Sequence, residues 1–433
     1  MRLGTYYFDR IMNNQNISFL SFRRYGLAAF CAINFCTGGL YVWSIFSTAL
    51  AAKLSTAGTQ ISASDLAPVF GLASGLTPFM MLAGGFVNDR FGPKWVIGAG
   101  GAALGAGYLL TAVAGSTFEL YCTYGIFIGI GTGLVNGCTI NTAVKYFPEH
   151  RGAAGGIVTA SLGIGAAVLP FAAQSLISAW GVDAALRSFG LVSALLIVTL
   201  AMMTRAIPPS FTAASIGKTV QQPTVSKTPL EMMRSPTFLP LGLLFMTSAT
   251  LGLMMLSNVG VIAREQIGLS LEAAAASIAV ISIANTIGRF ISGAASDTIG
   301  RLPALVFSLL LALGGIVLLM SAGTGDVLSF YAALAGIGIC FGAFIGIYPS
   351  LVADEYGPKH NSVNFSILML GYSAGGLIGP LLMTTAGASG SFSSVYIGGL
   401  VLCALGLTFA AVYRFIRSTT AAKTVSADGR LAS

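Results

Sequence analysis

The sequence predicts an all-α, polytopic membrane protein: twelve membrane-spanning helices in two pseudo-symmetric six-helix halves. Three observations lead there. Of the 433 residues, 55% are hydrophobic and only 8% are charged. Soluble domains carry about 25% charged residues, so a soluble enzyme or nucleic-acid binder is excluded. Apolar stretches recur near the ~20 residues that a helix needs to cross a bilayer, separated by Pro, Gly and charged residues. Short patterns also recur about 208 residues further on. Glycine, at 55 residues, exceeds its usual ~7%, which suits helices that pack closely in lipid.

Taken in order, residues 1–25 are basic and aromatic without an apolar core or cleavage site. They read as a cytosolic segment before an uncleaved first span. Hydropathy places spans at 26–50, 66–88, 95–115, 118–142, 152–180 and 184–205, which form the first half, 26–205. The stretch 206–236, rich in Pro, Ser, Thr and Lys, reads as a cytosolic linker. Spans at 237–261, 273–296, 302–322, 327–352, 362–385 and 391–416 form the second half, 237–416, and 417–433 is a cytosolic tail. Six cysteines lie in apolar stretches with no CxxC pair, so no disulfide framework, metal or cofactor is expected. With both termini inside, 18 of 22 Lys and Arg fall on the cytosolic side and three, Lys53, Arg187 and Arg264, outside. That asymmetry sets the orientation. It also accounts for the net charge of +8 without nucleic acid. The cation left over is Arg289.

The repeat is carried by particular residues. Gly85, Asp89 and Gly92 recur as Gly293, Asp297 and Gly300 at an offset of 208. Tyr124, Gly129 and Gly131 recur as Tyr331, Gly336 and Gly338 at 207, and Pro148 and His150 as Pro358 and His360 at 210. Three coincidences in matching places argue for two homologous halves, a transporter architecture with substrate bound between them near the midplane.

The stretch Gly85-Phe-Val-Asn-Asp89-Arg90-Phe-Gly92-Pro-Lys94 resembles the signature loop of the major facilitator superfamily, and 293–301 resembles its second copy. Gly39-Leu-Tyr41-Val-Trp43-Ser44-Ile-Phe46 resembles the oxalate/formate antiporter family, as do Lys145 to Gly152 and Tyr348 to Gly357; monocarboxylate transporters share parts of the pattern. The resemblance spans roughly 26–416. It implies an arginine in helix 8 that binds the anion, here Arg289. Members that carry oxalate place a lysine where this chain has Tyr372, and monocarboxylate transporters place an aspartate where it has Asn285.

Arg289 lies eight residues, ~12 Å of helical rise, from Asp297 at the cytosolic end of its helix. A cation there costs about 2.5–3.5 kcal/mol to insert; a fork onto a substrate carboxylate is the functional account of it, and snorkelling or contacts to backbone carbonyls and polar groups the other reading. Asn285, one turn earlier on the same face, orients the guanidinium, contacts substrate or serves structure. Tyr372 in place of a second cation matches a monocarboxylate better than a dianion, whose second charge would stay uncompensated; aromatic packing against helix 8 is the other reading. Tyr41, Trp43 and Asn34 in helix 1 are weaker pocket candidates, with packing or interface anchoring as the other reading. Gly85, Asp89, Arg90, Gly92, Lys94, Gly293, Asp297, Gly300 and Arg301 are expected to gate conformation. In that role Asp89 accepts from a neighbouring helix N-terminus and Arg90 pairs across the half-interface. Gly129-Ile-Gly131-Thr-Gly133 lies within a span with no preceding strand and is no dinucleotide loop. The GxxxG spacings Gly71–Gly75 and Gly133–Gly137 read as packing faces. No catalytic constellation assembles at one depth, so no enzyme is expected.

The expected function is secondary transport of a small carboxylate such as formate, pyruvate or lactate, oxalate being less suited, by exchange around Arg289. Proton-linked monocarboxylate symport is the alternative, and a solute sensor without transport is the different class. The expected partners are the carboxylate, a counter-anion or proton, and lipid. The protein is expected to be a monomer in the cell (inner) membrane.

Overall fold

The computed structural model describes residues 2–55, 60–208, 211, 226–387 and 392–431, so 209–210 and 212–225 of the expected linker lie outside the described residues. All regular structure among the described residues is helical. That is the economical solution in lipid, where each backbone group must be paired within its own segment.

The first span, α1, is Ser18–Leu54. Its helix is continuous from Arg2 to Thr37, tightens into a 3-10 turn at Gly38–Val42 and resumes over Trp43–Leu54. The helix therefore extends through most of the segment expected to precede the membrane. Next come α2 (Ala67–Phe91) and α3 (Pro93–Val113). The fourth, α4 (Thr117–Tyr146), contains a π-helical stretch at Tyr121–Ile128. The trace Arg151–Met203 is broken at Gly181, where φ is 81°. A side chain rarely adopts that backbone, so this glycine separates α5 (151–180) from α6 (182–203). The second half comprises α7 (Phe238–Glu265), α8 (Leu271–Ile299), α9 (Arg301–Ser321), α10 (Val327–Tyr356), α11 (Asn361–Gly387) and α12 (Ser393–Leu431). Among the described residues a helix occupies each of the twelve predicted spans. The last helix runs on through most of the expected tail.

The turns between α2 and α3 and between α8 and α9 share one device. Gly92 (φ 85°) and Gly300 (φ 94°) cap one helix and start the next, 208 residues apart.

The chain forms two compact units: Met1–Ser226 with Pro349–Ser366, and Lys227–Tyr348 with Ile367–Ser433. Each uses the same helix pairs. In the first, α1 meets α5 at Gly38 and Gly165, α2 meets α4 at Gly129, Gly133 and Gly137, and α3 meets α6 at Gly101 and Gly105. In the second, α7 meets α11 at Gly375 and Gly379, α8 meets α10 at Gly338, Gly342 and Gly346, and α9 meets α12 at Gly399 and Gly406. Gly133 and Gly137 pack as the spacing predicts. Gly71 and Gly75 do not: a Cβ at either would meet no atom within 4 Å. Their spacing matched a packing face, but that side of α2 is not the one turned to α4, which reads Ala73, Thr77 and Met81.

Candidate functional site

In the second unit the α8–α10 contact is set by backbone approach. A methyl group at Gly342 would collide with the carbonyl oxygen of Asn285, and one at Gly346 with that of Arg289. Glycine at every fourth position of α10 thus draws its backbone onto the two candidate residues of α8. The Arg289 Nε donates to Asn285 Oδ1 at 2.9 Å. Asn285 is buried and Arg289 half-buried. Tyr372 on α11 stacks on Phe341, with centroids 6.1 Å apart and planes 3° apart, and leans on Phe245 at 5.4 Å. Phe245 in turn stacks on Tyr348 at 4.0 Å. The structure therefore sets Tyr372 in an aromatic layer of α7, α10 and α11.

The helix 1 candidates lie in the first unit in three different settings. Asn34 is fully buried and donates to Thr139 Oγ1 at 2.6 Å and Phe30 O at 2.9 Å, while Thr37 donates to Asn136 Oδ1 at 2.8 Å. That ladder ties α1 to α4. Trp43 is buried against Tyr124, ring centroids 4.3 Å apart, and Tyr124 donates its hydroxyl to Leu40 O. Tyr41, on the 3-10 turn, is 48% exposed beside Phe70. The break in α1 turns Tyr41 outward while Trp43 faces the core.

The loop residues of the first unit form a cluster. Asp89 takes Lys145 Nζ on Oδ1 at 2.6 Å and the Val363 amide on Oδ2 at 3.2 Å. The amide belongs to the first turn of α11, whose partial positive charge favours a carboxylate. Gly85 lies flat under Ser362 and Val363, where a Cβ would come within 3.0 Å of backbone. Arg90 is exposed and lies over the Phe91 ring at 5.3 Å, and Lys94 lies over Trp95 at 5.4 Å. A cavity of about 270 Å³ opens beside Asp89, Arg90 and Lys145. In the second unit Asp297 pairs with Arg301 at 2.6 Å, Arg301 also reaches Ser296, and Gly293 is buried.

Three polar ties were not foreseen as candidates. Arg151 on α5, 2% exposed, pairs with Asp354 at the end of α10 at 2.6 Å. Asn361 donates to Asn141 Oδ1 at 2.7 Å and Asn88 to Ser362 Oγ at 2.8 Å. With Asp89 they bind 349–366, chain from the second repeat, into the first unit. The signal was available: Arg151 and Asp354 both lie in stretches that carry the family resemblance, Arg151 just before an apolar run and Asp354 just after one.

A duplicated bundle of twelve spans with glycine-tight helix pairs and a cation in mid-span defines an integral membrane protein of the transporter type. The chain belongs to the Major Facilitator Superfamily, which it matches over 27–364 and 264–432. It is 31% identical over 343 residues to the MFS-type transporter YhjX of Escherichia coli (strain K12), covering 79% of this chain and 83% of that one. It is 28% identical over 378 residues to the oxalate:formate antiporter of Oxalobacter formigenes, covering 85% and 87%. Over a shorter stretch, 24% of this chain and 21% of the relative, it is 29% identical to monocarboxylate transporter 9 of Gallus gallus. The fold is that of the E. coli fucose:proton symporter FucP, with a TM-score of 0.68 at 13% identity over 90% of this chain and 98% of that one.

Proposed function

We propose that the protein is a secondary active transporter that moves small monocarboxylates by alternating access, exchanging one anion for another around Arg289. It binds and moves its substrate without catalysing a reaction. It sits in the cell (inner) membrane with both termini cytosolic, the side to which 18 of its 22 cations fall. The observation that carries the reading is a guanidinium in the middle of α8, in a stretch 273–296 without Asp or Glu, held at Nε by a neutral amide. A carboxylate is the ligand that such a group grips with two parallel hydrogen bonds. The likeness to an oxalate:formate antiporter along most of the chain supports the carboxylate class. Tyr372 in place of a second cation favours one negative charge over two. With no Asp, Glu or His in the interior of a span, exchange is favoured over coupling through a protein carboxylate.

The ties of Asp89, Asn88, Asn141 and Arg151 to 349–366 form in one state of the cycle and break in the other, so they bias the conformational equilibrium without touching substrate. Gly85, Gly92 and Lys94, with Gly293, Asp297, Gly300 and Arg301 in the second copy, shape the two turns that take part.

The test is uptake of labelled one- to four-carbon acids into proteoliposomes, with a counter-substrate inside or with a proton gradient alone. Arg289→Ala abolishes uptake while leaving yield and monodispersity intact, and Arg289→Lys impairs it at least tenfold by losing the fork. Wild-type uptake by Arg289→Ala would refute the reading.

A further inference from the structure

Asn285 does more than fill space beside Arg289. The guanidinium has donors only, so its 2.9 Å bond fixes which end of the amide is oxygen. Asn285 is 6% exposed, and its Nδ2 is buried with no hydrogen-bond partner among the described residues. A buried donor left unsatisfied is destabilising, so this side chain is poorly chosen for helix stability alone.

The repeat supplies a control. Thr77, 208 residues earlier, occupies the same packed place: Gly133 of α4 abuts its carbonyl as Gly342 of α10 abuts that of Asn285. There the hydroxyl simply bonds back to Ala73 O at 2.9 Å, and the residue one turn on is Met81, buried and uncharged. The packing is thus satisfied by threonine where no cation follows, and the amide accompanies the arginine.

Resting on Arg289 as the anion site, we infer that Asn285 is a positioning residue that sets how the carboxylate is held. It holds Nε and so fixes the turn of the guanidinium plane that the carboxylate meets. It does so without a charge of its own, so the site keeps its full positive charge at every pH. The surroundings add no titratable carboxylate: α10 offers only Cys340 between Gly338 and Gly346, α7 none before Arg264, and α9 only Arg301.

The experiment is carboxylate exchange by the full-length protein in proteoliposomes, with labelled formate and lactate as probes. Asn285→Thr, a side chain that the first half already accommodates, raises the half-saturation concentration about tenfold, the effect of losing a hydrogen bond to a charged group, and keeps the maximal rate within about twofold. Asn285→Asp restores an acceptor but adds a titratable charge. Beside the guanidinium that carboxylate is ionised at neutral pH, so the variant's half-saturation concentration at pH 7 stands at least about tenfold above that of wild type. A wild-type half-saturation value in Asn285→Thr, with Arg289→Ala inactive, overturns the positioning role alone. A wild-type half-saturation value in Asn285→Asp at pH 7 overturns the requirement for neutrality. Activity in Arg289→Ala overturns instead the anion site on which both rest.

Discussion

Arg289 and Tyr372 divide the selectivity of the proposed site between a full charge and a neutral ring. Tyr372 lies in a stacked aromatic layer with Phe341 and Phe245, so replacing it alters a contact as well as a charge. Tyr372→Lys places a second cation in the second unit and is expected to raise oxalate uptake relative to formate several-fold, read as the ratio of initial rates. An unchanged ratio would remove Tyr372 from the pocket. At this scale the sequence was partly legible. A mid-span arginine stands out in a chain with few charges, and so did Asn285 one turn away. The settings of Asn34 and Trp43 were not legible, because a polar or aromatic residue in a span reads alike whether it lines a cavity or pins two helices. The structure gives Asn34 a helix-to-helix hydrogen bond and Trp43 a ring contact with Tyr124.

The helices are placed by their glycines, and a glycine's consequence depends on what it faces. Gly346→Val would drive a branched side chain into the Arg289 carbonyl, and overpacking of this kind costs about 1–3 kcal/mol or more. It is expected to lower the apparent melting temperature and to abolish uptake. Gly75→Ala meets nothing within 4 Å and gains helix propensity of up to ~1 kcal/mol. It is expected to melt at or above the wild-type temperature. A scan of both by thermal unfolding in detergent checks the contrast, and equal losses would contradict the packing register. The spacing rule saw both pairs of glycines as equivalent because it counts residues along one helix and cannot see the partner. Helix ends were legible where Gly92 and Gly300 interrupt the apolar run. They were not legible at the N-terminus, where a basic, aromatic stretch continues as helix without being apolar enough to count as a span.

At the scale of the whole molecule, the boundary drawn from hydropathy and the boundary drawn from packing differ. Sequence places 349–366 in the second half, whereas contacts join it to the first unit. One of its ties is an ion pair, Arg151 with Asp354, at 2% and 29% exposure. Removing one partner of a buried pair costs about 3–5 kcal/mol, and removing both costs far less; the remaining exposure of Asp354 reduces the first figure. Asp354→Asn is therefore expected to lower the apparent melting temperature, and adding Arg151→Met to restore most of it. A double variant no more stable than Asp354→Asn would refute the pairing account. Such a tie has no local signature, because its two residues are 203 positions apart.

That separation also orders the biogenesis of the protein. The first six helices leave the ribosome with Asp89, Asn141 and Arg151 already in place at one end. The chain that covers them is made only after a further 203 residues for Arg151, 220 for Asn141 and 274 for Asp89. Until then a nascent half-protein carries an arginine whose carboxylate has not yet been synthesised. A chain terminated before residue 349 lacks Asp354, Asn361 and Val363 altogether, so its first six helices never gain these ties.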